Sequence, residues 1–253
     1  MAKNIGIIRF TGKLGGLSGR ETAFGNIIQM PGGFKSERLK NDPIYLKSRQ
    51  LSTEFGRCSK ISALLRQHLL PYLKLLPDPY VYNHIQKCIL AIKECDLTSP
   101  VGSKTVDNGL ATQAGAGLLR GFSFNRKRHF YFTGVRSHSI DLEQGRLTMN
   151  GTDPMAFDIP NGVDALGFQL ILLRINLALP TLTVAASEYF FLHKTDQPAS
   201  ISLDAGKTDT EGLLAAVLFI GACHNADGAI SWKRHENNVL QVVAFDHKIG
   251  SIK

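Results

Sequence analysis

The chain has 253 residues, 43% of them hydrophobic and 20% charged, which is enough apolar material for a core and excludes a disordered or collagen-like protein. Its formal charge of +8 is unevenly spread, with 21 Lys/Arg against 8 Asp/Glu in residues 1–136 and 8 against 13 in residues 137–253. Such asymmetry fits a basic half that meets a polyanion, or two halves that attract one another between neighbouring subunits.

Residues 4–10 are β-branched and predict a strand. The glycine-rich, basic stretch from Thr11 to Arg20 resembles a phosphate loop only superficially. Gly12-Lys13 is followed by Leu14 rather than Ser or Thr, and the next segment, Phe24–Met30, reads as a strand and not a helix. A glycine-rich β-hairpin is the better reading, with Pro31-Gly32-Gly33 turning the chain after it.

The helical part runs from Asn41 to Asp96. Asp42-Pro43 supplies an N-cap and a proline at the first helical position. At 100° per residue, Leu51, Phe55, Cys58, Ile61, Leu65, Leu69 and Tyr72 share one apolar stripe, with Arg49, Thr53, Gly56, Lys60, Gln67 and Lys74 roughly opposite. Pro71 ends or kinks this helix. Asp78-Pro79 repeats the start signal, and Val81, Ile85, Cys88, Ile89 and Ile92 make a second stripe, so the pair predicts a helical hairpin. Residues 101–121 are Gly/Ala/Thr-rich without clear periodicity and read as a loop.

From Gly121 the pattern is β. Ile140–Met149 predicts a hairpin turning at Glu143–Arg146, and Met155–Ile159, Ala165–Leu179, Thr181–His193, Gly212–His224 and Val239–Asp246 are further strand candidates. The expected fold class is α+β: an N-terminal β-hairpin plus two-helix hairpin in residues 1–121, then an antiparallel β-sandwich of immunoglobulin-like character in residues 122–253. A Cys…Trp…Cys signature is missing.

Chemistry-bearing motifs are scarce. Cys58, Cys88, Cys95 and Cys223 have no C-x-x-C spacing and read as small buried hydrophobes, so neither zinc nor redox chemistry is expected. The eight histidines form no H-x-x-x-H or H-E-x-x-H pair, and Gly16-Leu17-Ser18-Gly19 falls short of a nucleophile elbow. Asp204, Asp209, Glu211 and His224 are the residues that a fold would have to bring together for acid–base work. We expect no enzyme, no cofactor, no metal and no small-molecule substrate. No signal peptide or bilayer-spanning run is evident, since Leu166–Leu179 and Leu213–Ala222 are short and interrupted. A cytoplasmic location without a membrane partner is expected, with release or non-Sec export left open.

The basic residues are the candidate binding set: Arg49, Lys60 and Lys74 along the helical passage, and Arg126, Lys127 and Arg128 in a run flanked by Phe122, Phe124, Phe130 and Phe132. No helix-turn-helix, zinc-finger or RNA-binding signature accompanies them.

Several stretches together carry a resemblance: Gly6 to Gly19, Gly32-Gly33, Ser36 to Pro43, Ser48-Arg49, Glu54 to Arg57, Leu64-Leu65-Arg66 and Gly121 to Asn125. The series resembles a group of uncharacterised proteins from Bacteroidota bacteria with a glycine-rich basic N-terminal half and a β-rich C-terminal half. The resemblance covers about the first 125 residues, and the positions after Gly19 depart from that group's Tyr/Lys-rich hairpin. It implies the same two-part layout and no recognisable enzyme. Taken with the charge asymmetry, this predicts a self-assembling structural protein that builds a filament, tube or shell by head-to-tail contacts, with itself as partner. The alternative is a nucleic-acid-associated protein that binds phosphates through its basic half.

Overall fold

A computed structural model describes residues 2–4, 10–30, 36–207, 212–226 and 229–247. The chain divides into two compact units, residues 1–49 and 50–253.

The first unit is a small antiparallel sheet of β1 (Ala2–Asn4), β2 (Gly12–Leu14), β3 (Leu17–Thr22) and β4 (Gly25–Gln29), in the order β1-β4-β3-β2. The predicted glycine-rich hairpin is β2–β3, with Leu14 paired directly to Leu17 across a turn whose Gly15 has φ +57°. A short helix α1 (Ser36–Asn41) follows, then a 3-10 turn at Pro43–Tyr45 whose start is capped by the Asp42 carboxylate accepting the Ile44 N–H at 3.0 Å. Most of the strand expected at 4–10 and the turn at Pro31-Gly32-Gly33 lie outside the described residues.

The second unit is built around two long strands. Helix α2 (Leu46–His68), which starts just before the division, leads into α3 (Leu70–Leu73), α4 (Val81–Glu94), α5 (Val106–Leu110) and α6 (Gln113–Leu119). The strands β5 (Ser137–Asp141), β6 (Arg146–Thr152), β7 (Ala165–Asn176), β8 (Thr181–Ala186), β9 (Phe190–His193), β10 (Ala199–Asp204), β11 (Leu213–Ala226), β12 (Ala229–Trp232) and β13 (Val239–His247) complete it. β7 and β11 pair antiparallel over eleven residues, with β8 and β9 on the far side of β7 and β12 and β13 on the far side of β11. β10, β6 and β5 form a separate three-stranded antiparallel sheet.

Period-two alternation assigns the two faces of the large sheet. Ile171, Leu173 and Ile175 of β7, with Ala215, Val217 and Phe219 of β11, pack under the helices against Ile61, Leu65, Leu69, Ile85 and Ile92. Their neighbours Phe168, Leu170 and Leu172, with Leu214, Ala216 and Leu218, pack on the other side against Leu147, Met149, Ile201 and Leu203 of the small sheet. The order of layers is helices, large sheet, small sheet. A sheet covered on both faces needs apolar residues at every position, which is why β7 reads as a nearly unbroken hydrophobic run. The architecture is therefore mixed helix and sheet with antiparallel pairing throughout. The helices share a core with the C-terminal strands, and residue 121 falls inside this unit.

Several local expectations change. The first apolar stripe begins at Cys58, because Leu51 and Phe55 are exposed and Glu54 is buried in their stead. The segment read as a loop at 101–121 holds α5 and α6, whose N-caps are the Thr105 and Thr112 hydroxyls accepting the Asn108 and Gly115 N–H groups. Helix α4 starts at Val81 rather than at Pro79, with the Asp78 carboxylate accepting the Tyr80 N–H ahead of it. The strand expected at Met155–Ile159 is a 3-10 turn, because Pro154 opens it and Asp153 accepts the Met155 N–H. The run Thr181–His193 is two strands, interrupted where the Ser187 hydroxyl accepts the Leu170 N–H and donates to the Glu188 carbonyl. β10 and β12 add two strands beyond those the sequence pattern predicts.

Candidate interaction surfaces

The six basic residues singled out in the sequence are divided between the two units. Arg49 belongs to the first unit, where its guanidinium donates to the Leu39 and Asp42 carbonyls, both at 2.9 Å. Lys60 on α2 and Lys74 just after α3 are exposed. Arg126, Lys127 and Arg128 follow one another in the connection beyond α6, but their side chains serve two different clefts.

One cleft, of about 390 Å³, lies between the start of α4 and this connection, lined by Pro77, Asp78, Pro79, Tyr80, Arg126 and Lys127. Arg126 donates twice to Asp78, at 2.8 and 3.1 Å, and lies over the Tyr80 ring at 5.8 Å. The guanidinium hydrogen bonds hold the Asp78 carboxyl below the usual carboxylate range, against the effect of its burial. A second cleft, of about 280 Å³, includes Arg128, His129, Tyr131, Asp158 and Asn237. There Arg128 faces Asp158 at 3.7 Å, and Asn237 donates to the same carboxylate at 2.8 Å.

Titratable groups elsewhere form separate pairs. Asp204 pairs with Arg146 at 2.6 Å and His224 with Asp164 at 2.8 Å, so two of the residues considered for acid–base work sit in separate pairs. Asp209 and Glu211 lie outside the described residues. All four cysteines are free thiols; Cys58 and Cys223 are buried, and burial pushes the Cys88 thiol up to about 12 and the Cys223 thiol up to about 11. Thiols held protonated in this way are poor nucleophiles. Among the described residues, no group of three or more His, Cys, Asp or Glu side chains gathers as a metal site, and no helix is long and apolar enough to cross a membrane.

Two surfaces that sequence reasoning did not single out are more distinctive. The first belongs to the N-terminal sheet. No described hydrophobic side chain of residues 1–49 is buried, and Leu14, Leu17 and Met30 are 62%, 40% and 76% exposed. Leu14 pairs with Leu17, and the register Ser18–Gln29 sets Met30 beside Leu17, so the three stand in one row on one face. Toward the other end of β4 the buried Asn26 side chain donates to the Phe10 carbonyl at 3.0 Å.

The second surface is an edge of the large sheet. On the β13 flank residues 122–124 cover the edge around Gln241: the Phe124 N–H donates to the Leu240 carbonyl at 2.8 Å, the Val242 N–H donates to the Phe122 carbonyl at 2.9 Å, and Ser123 bridges Gln241. Gln241 extends the seal by bonding both the N–H and the carbonyl of Phe130. The β8 flank is different, because among the described residues β8 has only β7 beside it. The Ser187 N–H bonds the Leu170 carbonyl, so in this register the residues two and four back, Ala185 and Thr183, also point their amides at β7. The N–H and carbonyl groups of Leu182, Val184 and Ala186 then face away from the sheet. The strand Thr-Leu-Thr-Val-Ala-Ala carries no charge and no internal proline, the features that usually guard an edge.

No family model matches the chain, and no curated protein or solved structure matches it either.

Proposed function

We propose that this chain is a non-enzymatic, self-assembling structural protein whose copies join by head-to-tail contacts into a filament, tube or shell. The observation that carries this reading is the exposed apolar row Leu14, Leu17 and Met30 of the N-terminal unit. Among its described residues no hydrophobic side chain is buried, and Leu14, Leu17 and Met30 stand in solvent as a contiguous apolar row, the kind of surface that marks an interaction site. A second molecule laid on that face buries the row. The opposite charges of the two ends favour another copy as that molecule. A contact between different parts of the chain is heterologous, so it repeats from copy to copy into a ring or an open filament.

The C-terminal strands are read as immunoglobulin-like in character, which rests on two antiparallel sheets stacked face to face through Leu147, Met149, Ile201 and Leu203. The nucleic-acid reading has less support, since Arg49, Arg126 and Arg128 are each engaged by acceptors of the protein itself.

Light scattering and negative-stain microscopy over a concentration series, at low and high salt, test the assembly reading. Growing particles at low salt that shrink as salt screens the charges support it. A strictly monomeric protein at high concentration and low salt removes it. Co-purifying nucleic acid, lost steeply as salt rises, would favour the alternative.

A further inference from the structure

We infer that the cleft beside Tyr131 is a binding site for a neutral oligosaccharide, which stacks a ring on the aromatic rim and gives its hydroxyl groups to the polar wall. The inference stands apart from the self-assembly reading and, like it, needs no catalysis.

The cleft has a volume of about 280 Å³ and is built within the 50–253 unit from stretches that lie far apart in the chain. Its innermost lining is apolar, with Leu166 and Ile220 both buried. One wall is polar, where Asp158 faces Arg128 at 3.7 Å and accepts from the Asn237 amide at 2.8 Å. A guanidinium, a carboxylate and an amide each have more bonding positions than these contacts occupy, and their planar forks match pairs of neighbouring hydroxyl groups. The rim is aromatic. His129 and Tyr131 are both exposed, Tyr131 by 77%, with rings 20° from parallel and centroids 6.0 Å apart.

A sugar ring presents the same division, with hydroxyl groups around its edge and C–H groups on its faces. Arg128 and Asp158 are the charged residues that line the cleft, and their opposite signs offset one another. That balance favours a neutral ligand over a phosphate or a carboxylate.

The walls are fixed before a ligand arrives. The Arg128 N–H donates to the Asn125 carbonyl at 3.1 Å, and Gln241 bonds the N–H and the carbonyl of Phe130 at 2.8 and 3.0 Å. Phe132 has φ +54°, a left-handed conformation that strains a bulky residue, and its ring stacks on His138 at 3.8 Å. Gly134 follows at φ +82°, where an added Cβ would come within 2.3 Å of the Ala156 Cβ. The Asp153 N–H donates to the Gly134 carbonyl at 2.9 Å, which ties the Tyr131 segment to the Ala156–Asp158 wall. Strain held in place by its surroundings collects at functional sites, and a pre-formed cleft loses little freedom on binding.

Saturation-transfer difference NMR on the full chain, with maltotriose, cellotriose, chitotriose and mannotriose at millimolar concentration, tests the site. At least one of these sugars is expected to receive saturation, most strongly at the C–H protons of a ring face. Tyr131→Ala and Asp158→Ala change exposed side chains and should each weaken that binding by about tenfold or more. Tyr131→Phe keeps the ring and should retain most of it, and Tyr80→Ala, in the other cleft, should bind like the parent. Circular dichroism and urea midpoints like the parent's establish that each variant folds.

No saturation transfer to any of these sugars would overturn the inference. Binding that survives both Tyr131→Ala and Asp158→Ala would also overturn it, by placing the sugar elsewhere. A response to inorganic phosphate, with none to the sugars, would replace it by an anion site. A monomeric parent that binds a sugar through Tyr131 would remove the assembly reading and leave this one standing.

Discussion

Glu54 of α2 and Lys93 of α4 meet at 2.8 Å with side chains only 1% and 4% exposed. Burial by itself would raise the Glu54 carboxyl and lower the Lys93 ammonium, but the hydrogen bonds reverse both shifts. Glu54 is held below its usual range by Lys93 and by the Gly102 and Lys104 N–H groups, and Lys93 is held above its own by Glu54 and Glu94. The pair ties the two helices to the connection that follows α4.

Removing one partner strands the other charge in the core. Lys93→Met should therefore cost about 3–5 kcal/mol in urea denaturation, while Glu54→Gln combined with Lys93→Met should cost clearly less than the two single losses together. Strict additivity would show that the two groups are not coupled.

Asp96, also buried, accepts from Thr98 and Ser99 through one oxygen and from Thr105 and Asn108 through the other. Burial opposes its ionisation, yet these donors hold its carboxyl far below the usual range. A carboxyl depressed in the folded state contributes stability above its unfolded pKa of about 4, and that contribution is lost as the pH falls through the folded value. Asp96→Asn should lower stability at neutral pH by about 2–4 kcal/mol, and the acid-side loss of stability seen in the parent should flatten. An unchanged acid slope in urea titrations below about pH 4 would assign the dependence to other carboxylates.

Trp232 on β12 rests over Gly167 of β7, where an added Cβ would come within 2.5 Å of the indole. The ring also packs on Phe219 and Tyr189, with centroids at 5.3 and 4.9 Å. Gly167→Ala should displace the indole, shift the emission of this single tryptophan and cost about 1–3 kcal/mol. Parent-like emission and stability would mean that the neighbouring strands give way without strain.

Asn238 is a buried clamp. Its carbonyl oxygen accepts the Ala222 N–H at 2.9 Å, and its amide donates to the Leu75 and Lys233 carbonyls at 3.0 and 2.8 Å. Asn238→Asp keeps the shape but sets an oxygen against two carbonyls, so a loss of about 2–4 kcal/mol is expected, relieved on acidification as the carboxyl gains a proton. Equal stability of parent and variant at neutral pH would show that water replaces the amide's partners.

What could be read from the chain alone was whatever depends on neighbours close in sequence. The β2–β3 hairpin announced itself by its glycines, the second helical stripe by Val81, Ile85, Ile89 and Ile92, and β7 and β11 by their length and apolarity. The separation of charge between the two ends is likewise a property of composition. Tertiary structure decided the rest. Glu54 looks like a surface residue until a lysine 39 positions away and two amides of a distant turn take its oxygens. α5 and α6 are too short and glycine-rich to signal themselves by periodicity, and Gly109 is there because its neighbour is the Ile92 backbone. The covering of β13 near Gln241 by residues 122–124, and the place of β8 at the other end of the described sheet, follow from strand order, which local sequence does not encode. A strand's pattern tells which face is buried, but only its place in the sheet decides whether its outer amides have a partner.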